Sequence, residues 1–161
     1  MIAQAGEPFR PSDVALSSMS VLPRRALLAI AAVVEVALQG HDRPIAAKSL
    51  ASRHGLPPRH LETVLQALVR EGILRGIRGP RGGYQLARKR QHVSAGDILR
   101  ASGAVEGPAH DPTSDLMAKV VLPALSAAES EFEKALGRIS LDEMAQLAER
   151  ANANETAKKR A

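Results

Sequence analysis

Apolar positions in the first half of the chain follow a helical period in three segments. The spacing predicts helices over residues 24–39, 44–54 and 58–71, and a glycine follows each of them directly, where helices usually end. In the third segment the i, i+3, i+4, i+7 positions form a core-facing stripe of Leu61, Val64, Leu65 and Leu68.

The pattern then changes to short strands. Residues 73–77 and 84–86 are typical of two strands, and a glycine-rich turn joins them. Ser94, with Asp97 three residues later, is a capping signal for a helix over residues 95–101.

The C-terminal third is helix-permissive from residue 114 to 136 and should be kinked or split at Pro123. Its apolar side consists of Leu116, Val120, Leu125, Ala128, Phe132 and Leu136. A second capping box, Ser140 with Glu143, predicts a last helix over residues 141–151, followed by a polar tail.

This order predicts a mainly α fold with a small β-wing, in which a winged helix-turn-helix domain is followed by a long C-terminal dimerisation helix. The expected divisions are a disordered arm (1–20), the winged domain (21–104), a loop (105–113), dimerisation helices (114–151) and a disordered tail (152–161). The apolar side of the long helix exceeds what one small domain can cover, so pairing with a second copy is expected to bury it.

Charge and composition narrow the function. Residues 43–90 contain eleven Lys and Arg against two Asp and Glu, a net of +9, which suits the dense negative charge of duplex DNA. Only three aromatic residues occur, which argues against a base-stacking platform for single strands. The absence of cysteine excludes disulfides and thiolate-held metals in this polypeptide and fits a reducing cytoplasm.

The third helix and the turn after it supply the candidate DNA contacts. In a helix-turn-helix the second helix offers its N-terminal residues to base edges; here these are Arg59, His60, Glu62, Thr63 and Gln66. Arg suits guanine, Gln suits adenine and the Thr methyl suits thymine. Taken alone, this surface would equally fit an ordinary solvated helix face.

The predicted wing favours DNA binding over an ordinary solvated helix face. Its predicted contact residues are Arg78, Gly79, Pro80, Arg81, Gly82, Gly83 and Tyr84. Glycines permit a tight turn with little bulk, so the backbone and flanking arginines can approach phosphates or the minor groove. A nucleotide-binding loop is the weaker alternative, since no Gly-Lys-Ser/Thr follows and the glycine spacing differs.

These residues resemble the Rrf2 family of bacterial winged helix-turn-helix transcriptional regulators. The resemblance covers about residues 22–107 and is most specific over 78–88, over 93–100, and in the first helix at Ala29, Glu35 and Ala37-Leu38. It implies a homodimeric regulator. It also places His60, Glu62 and Thr63 where relatives read bases, and Arg78 where they make a wing contact.

The chain departs from the family between residues 105 and 116. Sensing members carry three cysteines there, and this chain instead offers Glu106, His110, Asp111 and Asp115. We therefore expect no iron–sulfur cluster, no other cofactor and no metal site. Nitrogen and oxygen ligation remains the alternative to a plain polar loop.

The resulting hypothesis is a cytoplasmic homodimer that binds a pseudo-palindromic operator in double-stranded DNA, most simply as a repressor, with an unidentified small-molecule or protein effector. The alternative is a winged-helix module that binds RNA or a protein partner. We expect neither an enzyme nor a membrane protein. Glu129, Glu131 and Glu133 are best interpreted as a solvated face, and the apolar run at 26–38 is too short to span a bilayer.

Overall fold

The computed structural model describes residues 22–39, 43–55, 57–103 and 114–159. Its elements, in chain order, are α1 (Arg24–Leu38), α2 (Ala47–Arg53), α3 (Pro58–Arg70), β1 (Leu74–Ile77), β2 (Gly83–Leu86), α4 (Ala95–Ala101), α5 (Leu122–Arg138) and α6 (Leu141–Lys158). The predicted fold class, mainly helical with a small sheet, is confirmed. The predicted arm (1–20), the loop (105–113) and the helix stop at Gly40 lie outside the described residues.

Helices α1 to α3 pack around a single apolar core. Every member of the predicted α3 stripe is buried, and α2 adds Leu50 and Ala51. From α1, Val33 and Val36 are fully enclosed. Burial of each large aliphatic side chain contributes roughly 1.5–3 kcal/mol to the stability of the three-helix unit. Because the apolar stripe of α3 faces this core, the polar side of α3 faces solvent.

The second helix is shorter than predicted. It begins at Ala47, and no side chain caps its N-terminus, because Ala46 holds that position. The preceding residues are extended instead. Ile45 exchanges two backbone hydrogen bonds with Tyr84, of 3.0 and 2.9 Å. The side chain of Ile45 is buried, and its place beside the wing was not predicted.

Strands β1 and β2 form an antiparallel pair in which Leu74 lies opposite Leu86 and Ile77 opposite Gly83. The two strands begin one residue away from the predicted positions 73 and 84. Since Ile45 pairs with the other edge of β2, the wing is held by backbone hydrogen bonds on both sides of that strand.

The capping box of α4 forms as predicted. The Asp97 amide donates to the Ser94 hydroxyl at 3.1 Å, and the Asp97 carboxylate accepts from the Ser94 amide at 2.9 Å. A short 3-10 turn over Arg90–His92, which the sequence did not suggest, precedes it. From this turn, Arg90 forms ion pairs with Asp142 and Glu149 of α6.

Pro123 does not split the C-terminal helix. A π-helical turn, Met117–Val121, lies directly before it, and the helix continues through the proline. Proline lacks an N–H and its ring crowds the preceding turn, so a widened turn accommodates it. None of the described helices combines the length and apolar composition that a membrane crossing requires.

The last helix extends further than predicted. The Ser140–Glu143 capping box opens it, as expected, but it runs to Lys158 rather than ending at residue 151. Residues 152–158, predicted as disordered tail, are therefore helical. They are exposed, and the Thr156 hydroxyl donates to the Asn152 carbonyl within the helix at 2.9 Å.

Candidate nucleic-acid interface

The outer face of α3 presents the predicted base-contacting residues to solvent. Arg59, Glu62, Thr63 and Gln66 are all exposed, while the apolar stripe on the opposite side is buried. His60 lies in the first turn of the same helix, and its side chain is outside the described part of the chain. The four described side chains offer a guanidinium, a carboxylate, a hydroxyl and an amide, which are the groups that read base edges.

Arg78, Gly79, Pro80 and Arg81 form the exposed tip of the wing. The tip closes through a hydrogen bond of 2.9 Å from the Gly82 amide to the Gly79 carbonyl. Gly79 has φ +116°, a backbone conformation that residues with a side chain rarely adopt. The turn therefore projects two arginines from a compact backbone.

Gly83 lies where two backbones approach closely. A Cβ at this position would run into the carbonyl of Ile45 and would lie 2.8 Å from the amide nitrogen of Ala46. The tight turn predicted for the glycines is therefore only part of their role, because Gly83 lets the wing pack against the segment before α2.

Tyr84 lies at the base of the wing, in the strand that follows the turn. Burial raises the pKa of the half-buried Tyr84 hydroxyl, and the nearby negative charge of Glu62 raises it further. The phenol therefore stays protonated at neutral pH and is available as a hydrogen-bond donor. Helix α3 packs against β1, so the outer face of α3 and the base of the wing adjoin.

Arg88 supports the end of α3, a role that sequence reasoning missed. Its guanidinium donates to the carbonyls of Gly72 and Glu71, at 2.9 and 2.7 Å, and so satisfies the C-terminal end of α3. The partners are 16 and 17 residues away in the chain. No local spacing signals such a contact.

Most of the basic side chains in this region are free to meet an anion. Among the eleven Lys and Arg of residues 43–90, only Arg53 and Arg90 pair with a carboxylate within the described residues. Arg53, together with His54, faces Glu35 of α1 at 3.6 and 3.4 Å. The remaining charge is concentrated on α3, the wing and the neighbouring surface.

The residues present do not fit a thiolate-held iron–sulfur cluster, because this sequence contains no cysteine. Of the nitrogen and oxygen ligands considered, only Asp115 is described; it is exposed, and its carboxylate pairs with Lys119 at 2.6 Å. Glu106, His110 and Asp111 lie outside the described residues. Across residues 22–39, 43–55, 57–103 and 114–159, no group of three His, Asp or Glu side chains is arranged to hold a metal ion.

Comparison with known sequences identifies the family. The profile of the Rrf2 family, described as an iron-dependent transcriptional regulator, matches residues 22–147. The chain is similar to Protein rrf2 of Nitratidesulfovibrio vulgaris, with 32% identity over 76 residues, which is 47% of this chain and 51% of that protein. It is also similar to the HTH-type transcriptional regulator IscR of Erwinia tasmaniensis, with 30% identity over 45% of this chain and 44% of that protein.

Solved structures agree in fold. IscR of T. potens superimposes with a TM-score of 0.64 and 28% identity, covering 81% of this chain and 89% of the other. CymR, the global cysteine regulator of B. subtilis, has a TM-score of 0.63 at 23% identity, with 78% and 96% coverage, and supports the fold alone. The chain spans about half the length of the curated relatives it matches. The match over residues 22–147 nevertheless covers most of the chain, and the protein belongs to the Rrf2 family of transcriptional regulators.

Proposed function

We propose that this protein regulates transcription by binding double-stranded DNA as a homodimer, without an iron–sulfur cluster. The observation that carries the proposal is the joint surface of α3 and the wing. The side chains predicted to contact bases are exposed on α3. The adjoining wing exposes arginines that have no carboxylate partner among the described residues. Helix α3 would enter the major groove, and Arg78 and Arg81 would contact phosphates or the minor groove.

The proposal of a homodimer rests on the start of the long C-terminal helix. Leu116, Val120 and Leu125 are 66%, 55% and 60% exposed. Further along the same helix, Leu136 is buried against α1 and α4. One end of the predicted apolar side is thus covered by the chain itself, and a second copy would cover the other end.

A homodimer would place two copies of α3 in successive major grooves about 34 Å apart, on a pseudo-palindromic operator. We assign a repressor role, because a dimer lying across a promoter excludes polymerase without any further contact. A small molecule or protein would act as effector by changing the affinity for DNA. We assign the cytoplasm as the site of action, because that is where bacterial DNA is accessible.

The second candidate function is a winged helix that binds RNA or a protein partner. The arginines exposed at the wing disfavour a pure protein adaptor, and the scarcity of aromatic side chains disfavours single-stranded RNA. A-form duplex RNA has a major groove too narrow for a helix, which further favours DNA.

A competition titration separates these candidates. Labelled duplex DNA carrying the promoter of the protein's own gene is bound first, and unlabelled duplex DNA, duplex RNA and single strands of the same sequence then compete. We expect only duplex DNA to displace the label efficiently. Equal displacement by duplex RNA or by single strands would contradict the proposed function.

A further inference from the structure

A groove beside the predicted interface brings three arginines together. It lies between the start of α1 and the N-terminal half of α3, has a volume of about 560 Å³ and is open to solvent. Arg24 and Arg25 of α1 line it together with Arg59 and Thr63 of α3. No sequence pattern linked the first two residues to DNA binding.

We propose that Arg24 and Arg25 bind phosphate groups of the DNA whose bases α3 contacts, so that the interface extends onto the first turn of α1. This inference rests on the proposed function. The two arginines would contact the sugar-phosphate backbone of DNA without sequence preference. They would extend the surface on which α3 contacts the bases.

The charges of the groove support a phosphate as the occupant. No acidic residue is among its described lining residues, and both arginines are exposed without a carboxylate partner in the described part of the chain. A guanidinium presents a planar fork of donors that matches two phosphate oxygens. Three such groups around one groove repel one another until an anion enters.

The position of the groove supports DNA rather than a small anion. Arg59 and Thr63 line the α3 side of this protein groove and are predicted to reach into the major groove of DNA. Sugar-phosphate strands border the DNA major groove on both sides, so a phosphate would lie close to Arg24 and Arg25. Sites for small molecules enclose most of their ligand, whereas this groove is open along the outer surface. A polymer backbone lying across it fits that shape.

The salt dependence of binding tests the inference. The double variant Arg24→Ala/Arg25→Ala is compared with Arg138→Ala/Arg150→Ala, which removes the same charge from exposed positions on α5 and α6. Losing two phosphate contacts should make the negative slope of log affinity against log salt shallower by about 1.8. Between roughly 50 and 200 mM salt, the factor by which affinity falls should therefore be about twelve times smaller for the variant than for the wild type. Operator and random DNA should be affected equally.

Replacing single DNA phosphates with neutral groups provides a second measurement. A general loss of positive charge would not make the variant insensitive to one particular phosphate. Methylphosphonates are placed one at a time at the phosphates flanking the operator. At one or two positions the wild type should lose affinity, and the double variant should be insensitive there. Thermal unfolding of all variants checks that the fold is intact.

The possible outcomes are distinct. If the wild type shows no salt-dependent DNA binding, the proposed function fails. If the wild type binds DNA and the Arg24/Arg25 variant has the same affinity and salt slope as the control variant, only the inference about Arg24 and Arg25 is overturned. That result is also the one expected if the two arginines bind a small anionic metabolite instead of DNA.

Discussion

Arg88 and Arg59 carry the same guanidinium but differ in what surrounds it. Arg88 is bonded to the carbonyl groups that end α3, so it positions the helix. Arg59 is exposed at the helix start and has no carboxylate partner among the described residues. Residue type and charge were visible in the sequence, but the fold decides which arginine supports the surface and which is free to bind.

Arg59→Ala should reduce discrimination between operator and random DNA. If the guanidinium makes a bidentate base contact, the loss is about 1–3 kcal/mol, or roughly five- to 150-fold in the affinity ratio. Titrations against both DNAs measure it. Arg81→Ala, at the wing tip, should weaken both affinities together, and Arg150→Ala on α6 should change neither. The reverse pattern at residues 59 and 81 would overturn this assignment of roles.

Gly83→Ala should destabilise the wing, because the added Cβ collides with the carbonyl of Ile45. We expect a loss of about 1–3 kcal/mol in the free energy of unfolding, as in other overpacked sites. Gly76→Ala in β1 is the matched control, since a Cβ there meets nothing within 4 Å. Urea denaturation compares the two variants, and equal stabilities would show that the close approach is absent.

The helices and strands differ in how far local rules determine them. The caps of α4 and α6 follow from Ser94 with Asp97 and from Ser140 with Glu143, because each motif bonds within its own turn. The predicted start of α2 at residue 44 was wrong, because Ile45 pairs with Tyr84, about forty positions later. Such long-range pairing has no local signature. The predicted α3 stripe was confirmed in full, since its period alone dictates which side is buried.

The cap of α4 should make folding stability depend on pH in the acid range. Burial raises the pKa of Asp97, but hydrogen bonds from the Ser94 amide and hydroxyl and the charge of Arg100 outweigh this and leave the pKa below its usual value. A lowered pKa means that the stabilisation is present above the ordinary aspartate value of 3.8 and is lost as pH falls through the lowered value.

We therefore expect the free energy of unfolding to fall below about pH 3.8 and Asp97→Asn to flatten that decline. Denaturant titrations at several pH values measure it. Asp115→Asn, which removes an exposed carboxylate, is the control. An identical pH profile in the wild type and in Asp97→Asn would contradict the role of this cap.

In the whole molecule, one part of the C-terminal helix is covered by other helices of the chain and the other part is exposed. Its later part packs against α1 and α4 through Leu136, while Leu116, Val120 and Leu125 remain uncovered. The sequence indicated an apolar side that was too long for one domain, but not where coverage by the chain itself stops. That boundary depends on where α4 packs against α5, which periodicity alone does not show.

Leu125→Glu should shift the protein from dimer to monomer. Each copy would forfeit roughly 1.5–3 kcal/mol of apolar burial, so the dissociation constant should rise about a hundredfold or more. Sedimentation velocity at micromolar concentration measures the distribution. Ser130→Glu, at an exposed position elsewhere on α5, should leave the dimer intact. A wild-type protein that sediments as a monomer would contradict the dimer.

Selection of genomic DNA by the purified protein tests the central claim most directly. Sheared genomic fragments are incubated with the protein near 150 mM salt and an excess of bulk competitor DNA, and the retained fragments are sequenced. If α3 and the wing read the grooves of DNA, the retained fragments will share a pseudo-palindrome whose half-sites are about one helical turn apart, and Arg59→Ala will weaken the enrichment. Retention of no fragment above bulk competitor would contradict sequence-specific binding by this surface.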